Sequence, residues 1–221
     1  MKAEDHNKII ESQMATIFAV ADLIESHGND TGMHLKRLQS YCRVFALRLS
    51  ENPIYRKKID NEFINDIYHA SVMHDIGKAD IPDSVLLKPA KLTPEEFEIV
   101  KNHSLLGAMT LEPVHEKYPD NSFISMSISI ARSHHEKWDG TGYPDGLSGE
   151  AIPMPARIVA FADVYDALRS RLCYKIAFSH EESCSIIAEY AGTQFEPSMV
   201  EEFLKIAPEF HAIRKKYEDM I

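Results

Sequence analysis

Apolar residues return at three- and four-residue steps along most of this chain, and only one stretch, DGTGYPDGLSGEAIPMP from Asp139 to Pro155, is dense in glycine and proline. That spacing lines apolar side chains along one face of a helix and does not fit the two-residue alternation of a half-buried strand. Leu38, Tyr41, Cys42, Phe45 and Leu49 make such a face on a helix of about Met33 to Ser50. Thr93-Pro94-Glu95-Glu96 reads as an N-cap, a proline at the first helical position and a capping-box glutamate, so a helix starts there and carries Phe97, Val100 and His103. Ser179 with Glu182 repeats the start signal. Helices are expected near 4–27, 33–50, 61–76, 94–113, 121–135, 155–170, 180–191 and 197–205, which makes the fold class all-α, a helical bundle. With 221 residues, 44% of them hydrophobic, the chain has the core of one globular domain.

The remaining bulk features exclude whole classes of function. A formal net charge of −10 argues against gripping long nucleic acid, which needs a basic face, but leaves room for a small anionic ligand held by local positive charge. Cys42, Cys173 and Cys184 form no CxxC pair, so neither a disulfide framework nor a zinc knuckle is expected, and a reducing, cytoplasmic setting fits. No apolar run approaches the roughly 18–20 residues of a membrane span. The start MKAEDHNKIIESQ lacks the apolar core of a signal peptide. Residues 1–27 read as an N-terminal helix leading into a domain of residues 28–221; through Ile17, Ala21 and Ile24 it suits a signalling helix or a plain first helix of the bundle.

The chemistry lies in the histidines. His74-Asp75 in DIYHASVMHDIGKADIP is by itself an ordinary polar pair placed before a glycine expected to end a helix, but it has company. His34 precedes it; His103, the adjacent His134-His135, and Asp163 in the apolar run ARIVAFADVYDAL follow. Imidazoles and carboxylates suit iron, manganese, zinc or nickel, and this set is enough for two ions sharing a bridge. Successive residues on a helix point about 100° apart, so His134 and His135 can share an ion only where the helix end is distorted. An uncompensated carboxylate at Asp163 would be costly among Ile158, Val159, Phe161, Ala162 and Val164; a metal, a buried salt bridge or a helix cap would each compensate it. His6, His27, His69, His115, His180 and His211 have no such company.

Taken together, HDIGKADIPDSVLLKPAKL (His74 to Leu92), His103 in KNHSLLGAMTL, HHEKWDGTGYPDGLSGEAIPMPARIVAFADVYDAL (His134 to Leu168) and GTQFEPSMVEEF (Gly192 to Phe203) resemble the HD-GYP family, a branch of the HD-domain phosphohydrolases. The resemblance covers roughly residues 15 to 205 and implies an HD-domain helical bundle with a C-terminal helical GYP extension. It also implies a first metal held by His34, His74, Asp75 and Asp163, and a second held by His103, His134 and His135, with Asp75 bridging. Some members hold a third ion through a glutamate four residues before the histidine matching His34; here Asp30, one methylene shorter, takes that position, so two ions are expected rather than three, iron or manganese before nickel or zinc.

The implied activity is metal-dependent hydrolysis of one phosphodiester bond in a cyclic dinucleotide, cyclic di-GMP or 3',3'-cyclic GMP-AMP, to the linear dinucleotide by a metal-bridging hydroxide. Asp75 and Lys78 would be catalytic, Lys78 stabilising charge that develops on the phosphate; a solvated lysine beyond a helix end is its plain alternative. Tyr143 and Trp138 border a ligand base or pack the loop. Family members carry Arg-Pro-Tyr-Lys or -Arg after the DAL helix, but here RSRLCYK keeps Tyr174 and Lys175 and has Leu172 and Cys173 where arginine and proline are expected. Arg171 and Lys175 remain as phosphate contacts, and weaker substrate binding is expected. The alternative is a catalytically weak receptor or scaffold that binds nucleotide or a diguanylate cyclase partner through the GYP loop; a homodimer is a further possible assembly. A general HD-type nucleotide phosphatase is disfavoured because it needs neither HHE nor the long glycine loop.

Overall fold

The apolar stripe of α2 (Met33–Glu51) is the seam on which the chain closes: Leu38, Tyr41, Cys42, Phe45 and Leu49 are all fully buried in the computed structural model, which describes residues 3–26, 33–170 and 177–218. Tyr41 stacks on Phe210 of α10 (Ala207–Glu218) with ring centroids 4.6 Å apart. Phe45 meets Phe161 of α7 (Met154–Arg169) edge to face at 5.1 Å and Phe203 of α9 (Pro197–Lys205) at 6.3 Å. Edge-to-face and offset stacking of this kind adds to the burial of large rings and fixes how the four helices cross. Helix α10 lies beyond the expected elements. Its polar sequence carries no continuous stripe, and a single large anchor, Phe210, with Ile213 against the core, holds it in place.

On the other side of α2, α3 (Asn61–Ala70), α5 (Pro94–Lys117) and α6 (Ser122–Ser133) pack together, with the short α4 (Asp83–Leu86) before α5. Helix α8 (His180–Glu189) rests on α7 and α9, and α1 (Ala3–Ser26) reaches the body through its C-terminal part, where Ala21 is buried. Both expected capping boxes form: Thr93 Oγ1 accepts from the Glu96 amide at 3.2 Å while the Glu96 carboxylate accepts from the Thr93 amide at 2.8 Å, and Ser179 and Glu182 repeat the exchange at 3.1 and 2.7 Å. The all-α expectation is met; among the described residues there is no strand. Nor is any helix there long and apolar enough to cross a membrane.

Two helices differ from their expected extents. Helix α5 continues through Pro113 to Lys117, carried by its packing on α6 in spite of the hydrogen bond that proline removes. The helix expected over 61–76 stops at Ala70, and the chain tightens into two 3₁₀ turns, Ser71–Met73 and Ile76–Asp80. Gly77 is therefore not a helix terminator. It is buried against α5, where a Cβ would lie 2.0 Å from the His103 carbonyl oxygen and 2.4 Å from the Gly107 amide nitrogen.

Because both neighbours are backbone, they cannot rotate away, and Gly77→Ala is expected to cost about 2–3 kcal/mol as an overpacked contact. For a chain of this size that lowers the thermal midpoint by roughly 5–10 °C, read by scanning calorimetry. An unchanged midpoint would mean that the 3₁₀ segment yields freely.

The glycine-rich loop has a defined shape, as its composition suggested. The Glu136 carboxylate accepts from the Asp145 and Leu147 amides at 2.8 and 3.0 Å, and Arg132 holds Asp145 with two bonds of 2.7 and 2.8 Å. At Gly142 a Cβ would fall 2.4 Å from the Lys137 amide nitrogen, so the loop folds back on the residues that follow His135. Trp138 packs against the body: Arg157 lies over its ring at 5.7 Å and its amide donates to the Gln194 carbonyl at 3.1 Å.

Candidate metal centre

Five helical segments deliver the histidines and aspartates to one place. His34 stands in the first turn of α2, His103 in α5 and Asp163 in α7. His74 and Asp75 occupy the break between the two 3₁₀ turns, with Asp75 at φ −106° and ψ 12°, outside regular helix in the sparsely used bridge region. That break lets consecutive side chains address one cluster, which an unbroken helix would splay. The same solution recurs at His134 and His135: α6 ends at Ser133, His134 caps it, and His135 lies beyond, so the rings come within 4.0 Å of each other.

The imidazoles are held by one nitrogen and present the other. Nδ1 of His74 lies 3.0 Å from the Ser71 carbonyl, that of His103 2.6 Å from Val100, that of His134 3.0 Å from Ile130, and that of His34 2.8 Å from Asp166 Oδ2. Each Nδ1 donates in these bonds, which fixes the ring and leaves Nε2 as the nitrogen available to the cluster. Nε2 of His74, His103 and His134, together with Asp75 Oδ1, is buried without a hydrogen bond. Orphaned acceptors of this kind are costly unless something electropositive sits between them, and a divalent cation fits that description.

The acceptors fall into two groups around Asp75. His103 Nε2 is 3.1 Å and His134 Nε2 3.8 Å from Asp75 Oδ1, and these residues with His135 each offer a ligand atom within 4.8 Å of the others. On the opposite oxygen, His74 Nε2 is 3.2 Å from Asp75 Oδ2, and His34, His74 and Glu25 form a second group whose ligand atoms likewise lie within 4.8 Å of one another. Asp163 stands beside this second group with Oδ1 3.8 Å from His34 Nε2. The Lys78 ammonium bonds directly to Asp75 Oδ2.

The electrostatics differ between the two ends of the cluster: burial opposes charge on His34 and His74, but Asp166 lifts the first and Asp75 the second above the usual imidazole range, so a cation binding there displaces a proton, whereas the other end is already neutral. Burial, reinforced by the neighbouring His135 and His74, holds His134 well below the usual imidazole range, and burial with the charge of His103 takes His135 down to about 4. Both imidazoles are neutral at physiological pH, the form in which histidine can ligate a metal. Burial works against the Asp75 carboxylate, yet Lys78 and His74 overcome it and hold Asp75 well below the carboxylate range. Lys78 is in turn kept charged by Asp75, although burial opposes it.

Residues 19–199 match the HD domain family model. The chain belongs to the HD-domain family. It is 44% identical over 96% of its length to a cyclic di-GMP phosphodiesterase of Vibrio cholerae, of which it covers 43%. This HD-domain chain thus spans under half the length of that relative. Among solved structures, a cyclic GMP-AMP-specific phosphodiesterase of V. cholerae shares the fold at a TM-score of 0.57 and 18% identity, over 87% of this chain and 50% of that one. An HDGYP protein from Bdellovibrio bacteriovorus does so at 0.54 and 18%, over 80% and 53%.

In this HD-domain structure the expected residues His34, His74, Asp75, His103, His134, His135 and Asp163 come together, with Lys78 against Asp75 and Tyr143 stacked on His135 at 4.7 Å. Asp30, Arg171, Leu172 and Lys175 lie outside the described residues. Of the histidines without company, His69 packs on Tyr68, His180 bonds Tyr165 and stacks on His211, and His115 pairs with Ser125, all away from the cluster; His27 and the side chain of His6 lie outside the described residues. One expectation needs correcting. Asp163 is not the deeply buried carboxylate of α7, since its side chain is 26% exposed against 1% for Asp166. Asp166 is the acid that needs compensation, and it receives it from Arg37, His34 and Arg214. Sequence reasoning passed over both Asp166, one helical turn beyond Asp163, and Glu25.

Proposed function

We propose that this HD-domain unit hydrolyses one phosphodiester bond of a cyclic dinucleotide, cyclic di-GMP or 3',3'-cyclic GMP-AMP, to give the linear dinucleotide. The observation that carries the reading is the pair of orphaned acceptor groups on either side of the Asp75 carboxylate. We assign His34, His74, Asp75 and Asp163 as ligands of one divalent cation and Asp75, His103, His134 and His135 as ligands of another, iron or manganese before nickel or zinc. Bound there, two such cations supply Lewis-acid activation of water and of phosphate oxygens at neutral pH. The names of the relatives support the substrate class, since the matching V. cholerae protein is a cyclic di-GMP phosphodiesterase.

The chain's own groups then have defined tasks. Asp75 holds the two ligand groups in one register. Lys78, charged and with a side chain 30% exposed, sits at the mouth of the cluster, where its ammonium can leave Asp75 for a phosphate oxygen whose charge grows in the transition state. Tyr143, fixed against His135 and faced by Lys101 at 5.5 Å, offers a ring for a base. Arg171 and Lys175 are assigned to the phosphates, and residues 28–221 are taken as the catalytic unit with residues 1–27 leading in.

Lys78→Ala is expected to lower kcat about 10²- to 10³-fold, as loss of one electrostatic donor does. Metal content should not change, and a variant with near-native turnover would reduce Lys78 to a partner of Asp75. The reaction itself is tested by incubating iron- or manganese-loaded protein separately with cyclic di-GMP and cyclic GMP-AMP and following linear dinucleotide by chromatography. Failure to convert either one in metal-replete protein would exclude it.

A further inference from the structure

Glu25 stands in the last full turn of α1, the helix that packs against both 3₁₀ turns flanking His74 and Asp75. Its side chain is only 10% exposed, and Oε1 is buried without a hydrogen bond. A carboxylate in that condition normally finds an arginine, a lysine or a backbone amide. What Glu25 faces is His74 Nε2, at 3.6 Å, an atom that is itself buried without a hydrogen bond, the other ring nitrogen of His74 being engaged by the Ser71 carbonyl. At 3.6 Å the two atoms are too far apart to hydrogen-bond. Donors about 2.0–2.2 Å from a shared cation lie roughly 3–4.4 Å from each other, and that spacing fits.

We propose that Glu25 is a ligand of the cation at His34 and His74, which makes α1 a structural part of the metal centre. This rests on the metal-dependent reading above and goes beyond it, because the resemblance places its additional carboxylate at Asp30, five residues later, and gives α1 no part in the chemistry. One consequence follows from helix geometry. A shift of α1 by a single residue is about 1.5 Å and a turn of about 100°. It would carry the carboxylate away from His74, so the seating of α1 sets how firmly that cation is held.

The test compares wild type, Glu25→Gln and Asp30→Asn, each stripped with EDTA and titrated calorimetrically with manganese, with bound metal counted by mass spectrometry after desalting. Glu25→Gln is expected to lose one manganese per chain or to bind it at least about 10-fold more weakly, while Asp30→Asn keeps the wild-type stoichiometry. Melting separates ligation from packing. The midpoint of Glu25→Gln in EDTA reads its effect on packing and charge without metal, and manganese should raise that midpoint less than it raises the wild-type one.

Wild-type stoichiometry and affinity in Glu25→Gln would overturn the proposal, as would a variant that is less stable in EDTA yet gains as much from manganese as wild type. A wild-type protein that binds no manganese would overturn it together with the metal-dependent reading. Normal manganese binding without hydrolysis would sink only the proposed reaction.

Discussion

Asp75→Ala is expected to empty both metal sites at once and to lower turnover of a cyclic dinucleotide by at least about 10³-fold, because two cations contribute several kcal/mol of transition-state stabilisation. The expectation follows from the position of one side chain. Oδ1 faces His103 and His134 while Oδ2 faces His74, so this one carboxylate spans both groups. Loss of His34 or His135 would weaken one end, whereas loss of Asp75 leaves two half-sites of imidazoles with no shared anion. Asp75→Asn keeps the volume and removes the charge, so it separates electrostatics from packing and should behave like the alanine variant. Metal counting after desalting is the measurement. A variant that retains two ions per chain would show that the sites do not share Asp75.

Asp166→Ala is expected to destabilise the protein by about 3–5 kcal/mol, the cost of breaking a buried ion pair at one partner. Arg37 grips Asp166 with Nε at 2.7 Å and Nη2 at 2.8 Å in a two-bond fork, Arg214 adds a longer contact at 3.3 Å, and His34 Nδ1 donates at 2.8 Å. Urea denaturation in EDTA reads the loss, and a change below about 1 kcal/mol would mean the network is not buried in effect.

The pH dependence has a definite sign. Although burial alone would raise Asp166, hydrogen bonds from His34 and Arg37 hold it well below the carboxylate range, so its contribution is complete above about pH 4 and is lost as the pH falls through the folded value. Burial opposes the charge on His34, but Asp166 lifts it to about 10, so in metal-free protein its contribution is complete below about pH 6.5 and fades towards that higher value. The pair therefore stabilises metal-free protein most between about pH 4 and 6.5, and Asp166→Ala should flatten that window.

Much of this protein is local and hence legible in its order of residues. The stripe Leu38 to Leu49 needs only helical spacing, and the caps at Thr93 and Ser179 need only a neighbour three positions on; all are realised. The ordered His and Asp motifs likewise name the residues that gather, because ligand chemistry restricts which side chains can serve. The rest depends on contacts between distant segments, which no spacing encodes. His34 and Asp166 are 132 positions apart, and only the crossing of α2 and α7 decides that Asp166, not Asp163, is the buried acid. The 3₁₀ break at 71–80 arises because Gly77 must lie against the His103 backbone, a demand of α5 on a segment that by itself reads as helix. Glu25 joins the cluster by the docking of α1 on that break, so its place at the centre is a product of packing alone.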